Sequence, residues 1–309
     1  MLDLQNAEIF RAVLESLQMG VCMVDPDRRI NFWNEGAERI TGYLPQDVLG
    51  RSCDEILMVE FPEHTVPLGE RSCLSAAAMR DGQACEARVY FHHKSGYAVP
   101  VSLRSVPIRD VHGQVIGAAE SFVERPWVST LRRPESDLVV GHGLDGVTHL
   151  PDYRFTESYL VERHKFGSEH GVPFGVLCIQ LDQLDTLTAT HGREASEAIL
   201  NAVAHTLRNG LDPLDFVGRW WNNQFLAIVA IWHEGDLLTV AERLKQLAQF
   251  SKIVWWGDHL SVTVSVGGTV LSPGEPVFSV LGRAGSALEQ AIFQGGNLAI
   301  VHRAAETRD

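Results

Sequence analysis

Phe216-Val217-Gly218-Arg219-Trp220-Trp221-Asn222-Asn223-Gln224-Phe225-Leu226-Ala227-Ile228-Val229 is two apolar, β-favouring runs joined by a short polar turn. Asn accepts positive φ more readily than any residue but Gly, so Asn222-Asn223 is expected at the tip of a tight β-hairpin. Working outward, Asp145-Gly146-Val147-Thr148-His149-Leu150-Pro151-Asp152-Tyr153-Arg154 reads as the opening of a helix. Phe174 to Leu184 reads as a buried strand ending in acidic residues. Downstream, Leu260, Val262, Val264 and Val266 alternate with Ser261, Thr263 and Ser265, the period of a half-buried strand.

The order, spacing and letters of these segments resemble the GGDEF domain of diguanylate cyclases, whose opening motif is close to D-x-L-T-G-L-P-N-R and whose hairpin reads R-W-G-G-(D/E)-E-F. Arg219, Trp220 and Phe225 match, whereas Trp221, Asn222, Asn223 and Gln224 stand at the four signature positions. The resemblance covers roughly Leu144 to His302 and implies an αβ sandwich of the nucleotidyl-cyclase type.

The chain has 309 residues, room for two domains with separate cores. Hydrophobic residues make up 45% and charged residues 21%, an ordinary globular balance. No apolar run reaches the ~18 residues of a membrane span; Phe225 to Trp232 is among the longest and suits a buried strand. Met1-Leu2-Asp3-Leu4-Gln5-Asn6 lacks the basic-then-apolar pattern of a signal peptide, so a cytoplasmic protein is expected. The net charge of -13 is shared by both halves and works against nucleic-acid or anionic-membrane partners. Five Cys without an export signal suggest reduced thiols.

Ile9, Phe10, Val13, Leu14 and Leu17 fall at helical spacing and make one apolar face, which is expected to pair with a second copy in a homodimer. Val21 to Asn34 reads as strand, turn, strand, with Pro26 and its Asp neighbours setting the turn. Short helices follow at Glu35 to Ile40 and Gln46 to Leu49, then strands at Ala87 to Phe91, Ala98 to Val106 and Val115 to Phe122. Gly20 to Val24 with Asp25, Asn34-Glu35-Gly36-Ala37-Glu38-Arg39-Ile40-Thr41-Gly42-Tyr43, Gly50-Arg51 and Pro107-Ile108-Arg109-Asp110 resemble a PAS domain. That implies a small antiparallel-sheet sensor with helices, and leaves its ligand open. The domains expected are 1–125 (PAS with its N-terminal helix), 126–143 (linker, with Pro126, Pro134 and Gly141) and 144–305 (GGDEF-like).

Cys53, Cys73 and Cys85, with His64 between them and His92-His93 after, could supply soft ligands to a metal or iron-sulfur centre, or a His to a haem. None of the cysteine pairs has C-x-x-C spacing, and buried Cys is a common small hydrophobe.

The GGDEF resemblance assigns further positions. A cyclase holds divalent metal on a triphosphate, and a hard cation wants anionic oxygen. Aligned on Gly192 and Leu200, the metal Asp of the family falls on Gln180, with the second Asp kept as Asp182; the hairpin carboxylates fall on Asn223 and Gln224. The two hairpin glycines, which let backbone lie against the nucleotide, are Trp221 and Asn222. The guanine-contacting positions correspond to Thr188 and Glu197, the phosphate-binding Lys and Arg to Ile292 and Gly296. The product-binding R-x-x-D reads Asp212-Pro213-Leu214-Asp215, with acid in place of Arg. The expectation is a catalytically inactive PAS–GGDEF signalling module with no GGDEF cofactor, working through an unidentified protein partner. The alternative is an active or conditional diguanylate cyclase making cyclic di-GMP from two GTP, with Asp182, Asp185 or a partner subunit holding the metal.

Overall fold

A single buried asparagine ties the first elements together. Asn34 Oδ1 accepts from Val21 N at 2.8 Å and Ala37 N at 2.9 Å, while Nδ2 donates to the carbonyls of Leu14 (2.8 Å) and Met19 (3.0 Å). Its hydrogen-bonding capacity is filled by the end of one helix, a strand and the helix it caps, which is why a fully buried amide is tolerated at this position. The computed structural model describes residues 7–56, 58–59, 74–125, 143–231, 235–272 and 274–302. The chain divides into two units, Met1–Pro126 and Trp127–Asp309.

In the first unit α1 (Ala7–Ser16), β1 (Gly20–Val24), β2 (Ile30–Trp33), α2 (Glu35–Thr41), α3 (Pro45–Val48), α4 (Cys53–Ile56), β3 (Met58–Val59), α5 (Leu74–Asp81), β4 (Cys85–His92), β5 (Ala98–Arg109) and β6 (Val115–Glu124) follow in order. The strands form one antiparallel sheet, β2-β1-β6-β5-β4-β3. The β1–β2 turn closes with Asp25 Oδ1 accepting from Arg29 N at 2.9 Å and Arg28 at φ 63°. Trp33, Phe91 and Phe122 fill the core, the two phenylalanines edge-to-face at 4.9 Å.

Of the residues offered as soft ligands, the described ones are placed as follows. Cys53 is buried in this core, its Sγ 3.9 Å from Ser75 Oγ, and Cys85 Sγ donates to the Leu74 carbonyl at 3.3 Å. His92 Nδ1 meets Tyr43 Oη at 3.2 Å and His93 stacks on Tyr97 at 4.2 Å. Among the described residues no three His, Cys, Asp or Glu side chains converge as a metal site; His64 and Cys73 lie outside those residues. The α1 stripe divides: Phe10 and Val13 are 53% and 52% exposed, whereas Ile9, Leu14 and Leu17 are half-buried.

The second unit runs α6 (Tyr153–His170), β7 (Phe174–Leu181), α7 (Leu184–His191), α8 (Arg193–Asn209), β8 (Phe216–Arg219), β9 (Gln224–Ala230), α9 (Asp236–Ala248), β10 (Lys252–Trp255), β11 (Asp258–Ser261), β12 (Val264–Val270), α10 (Val277–Phe293) and β13 (Ala299–His302). A five-stranded mixed sheet has the order β13-β12-β7-β9-β8, only β12–β13 being parallel. Phe174, Val176 and Cys178 of β7 pack with Leu160 of α6 and Val280, Ala284 and Leu288 of α10. The opposite face meets α9, where Leu237 lies over Gly175. The stripes Ile199-Leu200-Val203-Leu207 and Leu237-Ala241-Leu244-Leu247 are buried as their spacing predicts.

Two strand assignments change. The strand from Phe174 stops at Leu181, because Gln183 takes φ 57° and α7 begins at Leu184. The alternating run from Leu260 is two strands, β11 paired with β10 and β12 in the main sheet, and β12 is buried on both faces, Ser265 included. Helix α10 sits on β12 so closely that a Cβ on Gly267 would lie 2.0 Å from the Leu288 backbone nitrogen. Gly218 is required likewise where β8 passes Thr156, whose Oγ1 would be 1.9 Å from an added Cβ.

Candidate functional site at the β8–β9 hairpin

The hairpin is in register at Arg219–Phe225, and its turn closes by Gln224 N donating to the Trp221 carbonyl at 2.6 Å. Neither Asn222 nor Asn223 has positive φ, which corrects the expected mirror-image two-residue tip. Asn223 instead fastens the turn to the neighbouring strand. Its Nδ2 donates to the Leu181 carbonyl at 3.1 Å, beside the backbone bond from Leu181 N to its own carbonyl at 3.0 Å. The side chain extends the β7–β9 ladder past the end of the strand. One residue on, Gln224 Nε2 donates to Gln180 Oε1 at 2.7 Å, across a directly opposed β7–β9 pair. Gln180, Asn223 and Gln224 therefore converge at one end of the sheet, three amides held by short bonds.

Beside the amides lies a cleft of about 390 Å³, walled by Trp220, Trp221 and the α10 residues Leu288, Glu289 and Ile292, with Cys178 at its inner end. Burial pushes the Cys178 thiol up to about 12, so it stays protonated. Tyr153, from the opening motif, stands 4.8 Å from both Trp220 and Trp221 and supports the aromatic wall from behind. Trp221 remains 58% exposed. A second hollow of about 460 Å³ lies on that side, where Asp145, Arg154 and Arg219 meet the same aromatics. Burial lowers the Arg219 pKa against the opposing pull of Asp145, and its guanidinium lies 5.2 Å from the Phe225 ring. Burial alone would raise Asp145, but hydrogen bonds from the Thr148 hydroxyl (2.7 Å) and amide (2.8 Å) hold it below the usual carboxylate range.

Of the remaining positions singled out in the sequence, Ile292 lines the cleft and the others are brought elsewhere. Asp182 Oδ2 accepts from Thr263 Oγ1 (2.6 Å) and Asn297 N (3.0 Å), and Oδ1 accepts from Ser265 Oγ (2.7 Å). Both oxygens fasten β7 to β12 and to the loop after α10. Asp182, offered as a metal ligand under the cyclase alternative, thus has both oxygens in hydrogen bonds within the fold. Gly296, at φ 76°, approaches this carboxylate, 3.3 Å from where its Cβ would stand. Thr188 Oγ1 lies 2.6 Å from Ser196 Oγ, and Glu197 pairs with Arg193 at 2.6 Å, both tied within the α7–α8 segment. Asp185 and Ile292 are exposed on their helices.

Around Asp212 the sequence gives no sign of Arg243 of α9, whose Nη2 lies 3.6 Å from Asp212 Oδ2. Asp215 is buried and accepts from Asp212 N (3.1 Å) and Ala230 N (2.9 Å). Burial pushes its carboxyl up to about 6. Glu289 and Tyr153 likewise escape the sequence reading; the adjacent Trp220-Trp221 pair is the one local signal for the wall they complete.

Residues 142–298, just over half of the chain, match the sequence model described as diguanylate cyclase, GGDEF domain. The chain belongs to the GGDEF family. Residues 18–124 match a PAS domain. Similar to it are the Probable diguanylate cyclase DgcE of Escherichia coli (strain K12), 24% identical over 268 residues, 86% of this chain and 24% of DgcE, and the response regulator PleD of Caulobacter vibrioides, 26% identical over 164 residues, 52% of this chain and 36% of PleD. The solved diguanylate cyclase SiaD of Pseudomonas aeruginosa, in complex with its activator SiaC, superposes with TM-score 0.50 at 26% identity over 52% of this chain and 61% of that one. The chain spans about a quarter to a third of the length of the first curated relatives it matches. No helix among the described residues is long and apolar enough to cross a membrane.

Proposed function

We propose that this chain is a PAS–GGDEF signalling protein in a cyclic di-GMP pathway whose GGDEF domain does not make cyclic di-GMP and acts instead as a sensor and interaction module. The observation that carries this reading is the amide set at the end of the sheet. Gln180 and Asn223 stand where the family resemblance puts two metal carboxylates; Asn223 donates to a backbone carbonyl and Gln180 accepts from Gln224. A divalent hard cation needs anionic oxygen facing it; these groups are neutral, and their nearest bonds are to each other and to the strand. The set does not fit the metal. Asp182, the remaining acid on this strand end, has both oxygens engaged.

The phosphate-binding positions support the same reading, since Ile292 and Gly296 carry no cation and Glu289 adds a negative charge to the cleft wall. Incubation with GTP and Mg²⁺ or Mn²⁺ followed by chromatography tests it. No cyclic di-GMP is expected; formation within about a hundredfold of an ordinary cyclase would overturn the reading, since losing a few kcal/mol of transition-state stabilisation costs at least that factor. Tight cyclic di-GMP binding at Asp212 is not expected either, because the acid pairs with Arg243 and repels phosphate. Calorimetric titration with the dinucleotide should be silent.

A further inference from the structure

The Gln180–Gln224 pair leaves hydrogen-bonding capacity that the fold does not use. A primary amide carries two N–H donors and an acceptor oxygen. The single bond from Gln224 Nε2 to Gln180 Oε1 leaves Gln224 Oε1 as an acceptor and the Gln180 Nε2 hydrogens as donors. Both side chains line the cleft of about 390 Å³, inside the range of roughly 300–1,000 Å³ typical of small-molecule sites. An amide acceptor beside an amide donor is the pattern that reads the N6–H and N7 of adenine.

The walls add the rest of the recognition. Trp220 and Trp221, each with the Tyr153 ring 4.8 Å away, line the cleft and supply it with indole rings of the kind on which planar bases stack. Leu288 and Ile292 face them with apolar side chains. Among the lining residues Glu289 is the charged one, and no cation is there to meet a phosphate. The site is thus suited to a flat, neutral ligand and opposed to an anionic one.

We propose that this cleft binds an uncharged planar heterocycle of nucleoside size, held edge-on by the Gln180 and Gln224 amides and face-on by the Trp220–Trp221 wall, in preference to its phosphorylated forms. The proposal rests on the reading that metal-triphosphate chemistry has left this cleft. Binding gives the non-catalytic domain a ligand to report on, since the hairpin that carries Trp221 also carries the Asn223 clasp.

Calorimetric titration of the full chain with adenosine and guanosine, and with their 5′-monophosphates, tests this. Expected is saturable binding of at least one nucleoside with Kd below ~1 mM, and at least about fivefold weaker binding of its monophosphate. Trp221→Ala, at an exposed position, is expected to weaken the nucleoside about tenfold, and Glu289→Gln to narrow the gap between nucleoside and monophosphate. Silence with both nucleosides, unchanged affinity in Trp221→Ala, or a monophosphate that binds as tightly as its nucleoside overturns the proposal. Cyclic di-GMP formation from GTP overturns the non-catalytic function whatever the titrations give, and silent nucleoside titrations overturn the cleft proposal whatever the GTP assay gives.

Discussion

At Asn223 the side-chain N–H donates to the Leu181 carbonyl at 3.1 Å, a bond that a carboxylate in the same place has no proton to make. Asn223→Asp therefore sets an anion against a carbonyl oxygen at the end of the β7–β9 ladder. It is expected to cost about 1–3 kcal/mol, read as a lower denaturation midpoint with unchanged slope; a variant as stable as the wild type would show that the clasp carries no weight. Reversing both positions, with Gln180→Asp and Asn223→Glu, is expected to leave GTP turnover undetectable. The two acids alone add no cation at Ile292 and Gly296, where the family resemblance puts Lys and Arg. Measurable product from that double variant would locate the whole deficit in the metal ligands. The Asn223, Gln224 and Gln180 amides thus take part in the β7–β9 pairing.

The β8–β9 hairpin is closed at its open end by Asp215, which bridges Asp212 N and Ala230 N. Burial raises its pKa to about 6, against the pull of those two bonds and of Arg243, while Asp212 and Tyr159 lie close enough to interact with it. The folded value exceeds the unfolded one, so the native state binds the proton more tightly. Stability from this group is fully present below the unfolded pKa of about 3.9 and is lost as pH rises through about 6. Asp215→Asn, which keeps an acceptor for Ala230 N, should gain on the wild type by about 2–3 kcal/mol between pH 4 and 7. Chemical denaturation across that range checks it, and a wild-type-minus-variant difference that stays flat would refute the assignment. On the other side of the sheet, α10 lies against β12 at Gly267, and Gly267→Ala is expected to destabilise by at least about 1–3 kcal/mol because backbone, not a mobile side chain, stands in the way.

For the molecule as a whole, the α1 face is the surface expected to make the homodimer. Phe10 and Val13 are exposed and Ile9, Leu14 and Leu17 half-buried, so a second copy would still remove apolar area from water. Each large side chain fully covered contributes roughly 1.5–3 kcal/mol before association costs. Light scattering on the chain and on Phe10→Glu with Leu14→Glu checks this: a monomeric wild type, or a double variant that stays dimeric, excludes α1 as the contact. The Asn34 side-chain amide donates to the backbone carbonyls of Leu14 and Met19 and not to their side chains, so these substitutions remove neither acceptor.

Periodicity and turn letters determined most of the fold. The stripes of α8 and α9, the Pro26 turn and the antiparallel runs of the first unit are local patterns, and a pattern of hydrophobic spacing survives any tertiary arrangement that gives it a core. The absence of acid at Gln180 and Asn223 is legible too, because charge is a property of the letter. Only the tertiary structure decided what those amides do. Gln180 and Gln224 lie far apart in the chain, and they meet only because β7 and β9 pair in a register that sets them opposite. The hairpin tip departs from expectation for the same reason: Asn tolerates positive φ as a local preference, but the Leu181 carbonyl offers a bond that the isolated turn does not have. Likewise the run from Leu260 shows its period but not its break, which falls at Val262 and Thr263, where Asp182 N and Oδ2 bond to the Thr263 carbonyl and hydroxyl. By its letter alone Asp182 is a spare metal ligand; its partners, all distant in sequence, close around both oxygens only in the folded chain.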